Sequence, residues 1–312
     1  MKHSIQTNFF SALLLGLVTF TFIACGGDDD ETTPNTEKPD ENGTDNNGSN
    51  DNGDNNGTPD KFVVTINDNG QASDGHLYTA IDDSTFYLDA LKYKDQKDSL
   101  MVSGFDKATF KGEANIVSAM NYKGRFLEVK GIEDGAFGDC ENLSTLSIPD
   151  GITSIGFEAF ADCYNLTSIT IPGSVTRIGD EAFEQCSALT TIIFNYGLIS
   201  IGTNAFRKCT ALKTVVIPNS VTIVGKKAFD QCTSLSSITI GSQVTTIETR
   251  AFVGCESLRD VYCLAKDCPN VGKEIFRETP ISSGTLHVPL GSINQYKSTA
   301  PWSGFGRIVA IE

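Results

Sequence analysis

The chain has 312 residues, 39% of them hydrophobic, and a net charge of −15. The apolar content supports a real core in one or two domains. The acidic balance, with no concentrated basic face, excludes the electrostatic footprint of a DNA or RNA binder. The charge is uneven: residues 26–60 hold 11 Asp/Glu and one lysine, Lys38.

Lys2 and His3 give a short positive start, and Phe9 to Ala24 is almost entirely apolar. That run is shorter than the roughly 20 residues a membrane span needs, and its position and charge fit a secretory leader. Its end, Phe22-Ile23-Ala24-Cys25, resembles the lipobox of bacterial lipoproteins, departing at Phe22, where leucine is usual. The resemblance implies a signal peptide over residues 1–24, cleavage before Cys25, and diacylglycerol on the Cys25 thiol. The alternative is a plain leader with an incidental cysteine. The following Gly26-Gly27-Asp28-Asp29-Asp30-Glu31 resembles an export signal of surface lipoproteins in anaerobic Gram-negative bacteria. That resemblance implies an outer-membrane, lipid-anchored protein facing the cell exterior; the alternative is the start of an acidic linker.

Residues 25–60 then form a tether. From Gly26 to Asp60 there is no apolar residue larger than proline, so the segment cannot offset its ordering entropy and is expected to stay disordered. Its flexible span is about 30–35 Å. The Asp/Asn/Gly spacing faintly suggests a calcium loop, but the twelfth-position glutamate and flanking helices are missing. Residues 61–128 read as a β-rich N-terminal cap. Phe62-Val63-Val64-Thr65-Ile66, Leu77 to Ile81, Thr85 to Tyr93 and Leu100 to Ser103 are strand candidates, with a hairpin signal at Asn69-Gly70. A solenoid needs such a cap over its first coil.

From residue 129 to 312 one unit recurs. Ala-Phe pairs fall at Ala136-Phe137, Ala159-Phe160, Ala182-Phe183, Ala205-Phe206, Ala228-Phe229 and Ala251-Phe252, in steps of 23 residues. A cysteine follows each pair, from Cys140 to Cys255, and a leucine three residues later, from Leu143 to Leu258. The spacing Leu166-x-x-Ile169-x-Ile171 is the strand of a leucine-rich repeat. Alternation turns Ile169 and Ile171 inward and Ser168 and Thr170 outward. Pro172 ends the strand, Val175 and Ile178 make a second short extended piece, and the Ala-Phe pair sits in a short helical or 3₁₀ turn. The fold class is therefore an α/β-type repeat solenoid, a leucine-rich repeat of 23-residue units. Val129 with Ile132, Ile275-Phe276 and Leu286-His287-Val288-Pro289 read as partial units at its ends.

This pattern resembles the BspA-like leucine-rich repeat family of bacterial surface proteins. The segment from about residue 264, with Val288-Pro289, Tyr296, Trp302, Phe305 and Ile308, resembles that family's C-terminal cap. The resemblance implies a monomeric surface module that binds a protein or glycan. The alternative is a structural or assembly component of the cell envelope with bacterial partners.

The periodic cysteines read as buried thiols acting as small hydrophobes, with a stacked disulfide column the alternative. A Cys263–Cys268 bridge stays open. Cys263, Cys268 and His287 lack a fourth ligand and the spacing of a zinc site, so no metal or cofactor is expected. No nucleophile elbow, phosphate-binding glycine loop or His-Glu-x-x-His is present, and His76 and His287 lie in different caps, so no enzyme is expected. Two surfaces remain for binding. The outward strand positions are Thr145, Ser147, Ser168, Thr170, Thr191, Ile193, Thr214, Val216, Ser237, Thr239, Asp260 and Tyr262. Beside the Ala-Phe turns, acidic residues in the early units (Glu133, Asp134, Asp139, Glu158, Asp162, Asp180, Glu181, Glu184) give way to Arg207, Lys208, Lys226, Lys227 and Arg250 in the later ones, with Asp230 the exception, a basic ridge that would meet an anionic partner.

Overall fold

The computed structural model describes residues 63–311, apart from residues 68–70 and 73–75. The leader, Cys25, the tether and the Asn69-Gly70 turn lie outside the described residues.

The first strands are β1 (Val63–Thr65), β2 (Tyr78–Ala80), β3 (Thr85–Leu88), β4 (Leu91–Asp95), β5 (Leu100–Phe105), β6 (Glu113–Asn115), β7 (Ala119–Tyr122) and β8 (Arg125–Ile132). β2 to β5 form an antiparallel meander. The single strand read over Thr85–Tyr93 is corrected to a hairpin: Asp89 turns the chain with a φ of 53°. Its carboxylate holds Leu77 N at 3.0 Å and His76 Nδ1 at 2.6 Å. β6, β7 and the first half of β8 were not expected, although Leu127-Glu128-Val129-Lys130 alternates between buried and half-buried positions. β8 runs across residue 128, so the β-rich segment and the first coil share a strand. β5 pairs in parallel with β8, and β6 with β9 (Thr145–Ser147). The β-rich segment thus supplies an irregular first coil of the solenoid itself.

From β9 to β20 each coil carries one longer and one shorter strand, and two more long strands follow. The longer ones continue as β11 (Ser168–Ile171), β13 (Thr191–Phe194), β15 (Thr214–Val216), β17 (Ser237–Ile240), β19 (Asp260–Cys263), β21 (Thr285–Pro289) and β22 (Arg307–Ile311). The shorter ones are β10 (Ser154–Ile155), β12 (Arg177–Ile178), β14 (Ser200–Ile201), β16 (Ile223–Val224), β18 (Thr246–Ile247) and β20 (Asn270–Val271). The short strands form one continuous parallel ladder beginning at Gly131-Ile132. The long-strand ladder falls into three segments, β6-β9, β11-β13 and β15-β17-β19-β21-β22. At the break after β13, Phe194 stands where neighbouring coils carry isoleucine, edge-on to Phe206 at 5.8 Å.

The core is a set of columns. Phe105, Phe137, Phe160, Phe183, Phe206, Phe229, Phe252 and Phe276 stack at 5.0–6.0 Å, with ring planes within 17° of parallel. Each pair adds about 0.5–1.5 kcal/mol beyond its area burial. Trp302 and Phe305 close the distal end edge-on to Phe276, beside α1 (Ile293–Ser298), the one α-helix among the described residues, whose Tyr296 packs on Trp302. The partial units at Ile275-Phe276 and Leu286–Pro289 take their expected places, the former after a step of 24 rather than 23.

The cysteines form a second column. All eight described cysteines are free. Each repeat thiol from Cys163 to Cys255 donates to the phenylalanine carbonyl of the preceding coil at 3.2–3.3 Å, as Cys163 Sγ does to Phe137 O. The side chains point along the solenoid axis to backbone, not to one another. Cys263 meets the Tyr296 hydroxyl at 3.2 Å rather than Cys268.

The Ala-Phe turn is a tight turn closed by i→i+3 bonds such as Cys140 N to Phe137 O. It is flanked by two left-handed residues in every coil. One column is Gly135, Glu158, Glu181, Asn204, Lys227 and Arg250; the other is Asp139, Asp162, Gln185, Lys208, Gln231 and Gly254. Their N–H groups donate to the next coil, as Gly135 N does to Phe157 O and Asp139 N to Ala161 O. These rung-to-rung bonds hold a conformation that costs a non-glycine residue roughly 1–2 kcal/mol. Elsewhere glycine is required by contact: a Cβ on Gly179 would lie 2.4 Å from Gly156 O.

Candidate functional site

The outward long-strand positions lie as expected. Thr145, Ser147, Ser168, Thr170, Thr191, Ile193, Thr214 and Val216 are exposed; Ser237, Thr239, Asp260 and Tyr262 are half-buried. Register within the ladder segments, and the 23-residue step across their breaks, sort them into two rows. One runs Thr145, Ser168, Thr191, Thr214, Ser237, Asp260 and on to Thr285 and Arg307; the other runs Ser147, Thr170, Ile193, Val216, Thr239, Tyr262 and on to His287 and Val309. The first is a row of hydroxyls ending in charge. The second is apolar in its middle, where Ile193 is 51% and Val216 48% exposed.

The distal end of this face holds a group that the sequence reading did not assemble. His287 stacks on Tyr262 with ring centroids 4.1 Å apart and planes 11° from parallel. Its Nε2 meets Asp260 Oδ1 at 3.1 Å, across one strand. The signal was available: Leu286 and Val288 are inward, which turns His287 outward beside Tyr262. Arg307 joins the same corner through β22.

On the turn ridge several of the cations are paired across coils. Arg207 lies between Glu184, which its Nη1 contacts, and Asp230, whose Oδ2 is 3.2 Å from Nε. Both carboxylates are largely buried. Arg250 Nε pairs with Glu274 at 2.7 Å, and Lys208 Nζ donates to Gln185 at 3.2 Å. These contacts link neighbouring coils. Lys226 and Lys227 remain the cations of the ridge for which no side-chain pairing is seen among the described residues. The acidic end is structural in part: Asp134 Oδ1 accepts Phe157 N at 2.7 Å and Asp180 Oδ1 accepts Thr203 N at 2.9 Å. At Glu158, burial and the adjacent Glu181 raise the carboxyl pKa.

An open groove of about 570 Å³ lies on the short-strand side, between Met101, Phe157, Arg177 and the Asp134 and Asp180 carboxylates. Among the described residues there is no cluster of three or more metal-capable side chains, and no helix long and apolar enough to cross a membrane.

Comparison with known proteins places this geometry. The sequence matches the BspA type leucine rich repeat region in six copies, over residues 106–233 and 178–297. A search of curated proteins returned no match. A leucine rich repeat protein of T. pallidum is similar in structure, with 29% identity, a TM-score of 0.55, and coverage of 60% of this chain and 86% of that one. The pneumococcal vaccine antigen PcpA is 22% identical, with a TM-score of 0.46, and covers 67% of this chain and 51% of its own. A leucine-rich repeat protein from Bacteroides ovatus is 20% identical, with a TM-score of 0.36, and covers 72% and 76%. The repeat match spans more than half of the sequence and the same columns that build the solenoid: the chain belongs to the BspA-type leucine-rich repeat family.

Proposed function

We propose that this chain is a surface-displayed binding module, tethered to the outer membrane through lipid on Cys25 and carrying a macromolecular partner, protein or glycan, on its long-strand face. The supporting observation is that face itself. It carries outward side chains in coil after coil and leaves Ile193 and Val216 half exposed beside a row of hydroxyls. The columns of phenylalanine, cysteine and inward isoleucine are fully used by the core, so specificity falls to the outward positions that differ between coils. The reading assigns no reaction to the chain.

Three measurements test it together. Palmitate labelling in cells is expected to require Cys25 and to vanish in Cys25→Ala. Protease added to intact cells is expected to remove the protein; survival of the whole chain would place it in the periplasm and count against adhesion. The purified protein is expected to retain a member of a panel of glycans and matrix proteins. Co-purification with envelope proteins alone, and no retention on the panel, would instead support the assembly role.

A further inference from the structure

The geometry points to the open edge of β2 as a self-pairing surface: two copies of the chain join as a two-fold dimer, β2 antiparallel to β2, with Thr79 at the axis. The dimer uses no residue of the long-strand face and replaces the monomer that the family resemblance implies.

β2 stands at the end of its sheet and pairs with β3 on one side; among the described residues no strand pairs with its other side. Natural sheet edges are blunted by charged side chains, proline or bulges. Leu77 to Ile81 carries no charge and no proline, its register with β3 is unbroken, and Leu77 is 74% and Ile81 47% exposed. By contrast β22, the end strand of the distal ladder, begins with the exposed Arg307.

The backbone bonds fix which groups face out. Asp89 N–H donates to Leu77 O at 2.6 Å, and Ile81 N–H donates to Thr85 O at 2.9 Å. Bonded and non-bonded positions alternate along an antiparallel pair. Leu77, Thr79 and Ile81 are therefore spent on β3, while Tyr78 and Ala80 direct their N–H and C=O to the open edge. A two-fold axis at Thr79 sets Tyr78 against Ala80 of the second copy, and every outward N–H and C=O on β2 is then bonded. The same register sets Leu77 against Ile81 of the second copy, on the face shared with Thr79. These are non-bonded positions, where side chains approach most closely. A slip of two residues either way sets Thr79 against one apolar residue and leaves the other uncovered. Such a contact, i on j and j on i, is what a two-fold interface requires. A strand of another protein would also take the backbone bonds; what selects a second copy is the placement of Leu77 and Ile81 symmetrically about Thr79.

Thr79→Cys tests the register. At the axis the two Cα atoms lie about 4.5 Å apart, within reach of a disulfide, and mild oxidation of the full chain is expected to give a covalent dimer. Leu77→Cys alone is expected to give none, because its two copies stand about 13–14 Å apart along the strands; mixed with Ile81→Cys it is expected to crosslink. Lys111→Cys, exposed and outside the strand, and the unsubstituted chain set the background. A strand pair this short buries less than the roughly 1,200 Å² of a standard interface. Sedimentation is therefore expected to show a monomer–dimer equilibrium between about 5 and 500 µM. Thr79→Lys places two like charges at the axis and is expected to weaken the dimer at least tenfold, while Thr79→Val stays within about threefold. Trp302 fluorescence reports whether each variant is folded. The proposal is overturned by a single-copy mass at the highest concentration, by a dimer that Thr79→Lys leaves intact, or by Thr79→Cys crosslinking no better than Lys111→Cys. Crosslinking of Thr79→Cys in cells to another protein and not to a second copy gives the edge to a different strand and overturns it as well.

Discussion

Phe183→Ala tests the claim that the aromatic column couples the coils. Phe183 is fully buried and stacks on Phe160 at 5.0 Å and on Phe206 at 5.2 Å. Removing a buried phenylalanine costs about 3–5 kcal/mol through lost transfer energy and the cavity left behind. Two aromatic contacts are lost at once, each worth about 0.5–1.5 kcal/mol beyond area, so the upper half of that range is expected. In a solenoid each coil touches only its neighbours, and the loss falls on one joint in the middle of the array. Urea unfolding followed in two ways reads this directly. The sole tryptophan, Trp302, sits in the distal cap against Phe276, so its fluorescence reports the distal half, while far-ultraviolet circular dichroism reports every coil. In the natural protein the two transitions are expected to coincide. In Phe183→Ala the circular dichroism midpoint falls by about 1–2 M, for a slope of about 2–3 kcal/mol/M, and the Trp302 transition lags behind it. A loss below about 1 kcal/mol, or coincident transitions in the variant, would refute the coupling.

Three further outcomes follow from the same contacts. Arg207→Met leaves the largely buried Glu184 and Asp230 without their shared cation and is expected to cost about 2–4 kcal/mol; adding Glu184→Gln and Asp230→Asn restores most of it, whereas a purely steric role for Arg207 predicts no rescue. Burial raises the thiols of Cys186, Cys209 and Cys232 above the ordinary 9.0 and that of Cys263 to about 11. The unfolded chain therefore ionises them first. Their contribution is complete below about pH 9 and is lost as pH rises, for Cys263 between 9 and about 11, at up to about 1.4 kcal/mol per thiol per pH unit; urea midpoints at pH 8 and pH 10 check this, and a midpoint that holds or rises contradicts it. Glu158→Gly relieves a left-handed residue and its repulsion from Glu181, and thermal unfolding is expected to show a gain of about 1 kcal/mol; a loss would mean that the Glu158 side chain has a stabilising contact of its own.

The periodic part of the fold was legible because each column is chemically uniform. Phe183 recurs where it stacks on its own copies and Cys186 where it meets the phenylalanine carbonyl of the preceding coil, and alternation along Ile169 to Ile171 sorted inside from outside. The less regular parts were hidden by physics that a single stretch does not carry. Glu158, Lys227 and Arg250 give no sign of left-handed backbone; Gly135, Gly254, Asn204, Asp139 and Asp162, elsewhere in the same two columns, hint at it. The conformation is imposed by bonds to the next coil. β6 and β7 are too short to show a pattern of their own and are strands because neighbouring rungs pair with them, whereas the alternation of Leu127 to Lys130 in β8 was there to be read. Summed charge along the ridge does not show pairing: Glu184, Arg207 and Asp230 lie one period apart each and meet across coils. That pairing was written in the 23-residue step. So was the stack of His287 on Tyr262, once His287 is placed in register.

The central claim is that recognition sits on the long-strand face and not on the turn ridge. Affinity for the partner retained in the binding screen, measured for Val216→Arg beside Lys226→Glu/Lys227→Glu, separates the two. The account predicts at least a tenfold loss in Val216→Arg and less than a twofold change in the lysine pair. Full affinity in Val216→Arg together with a loss in the lysine pair would contradict it.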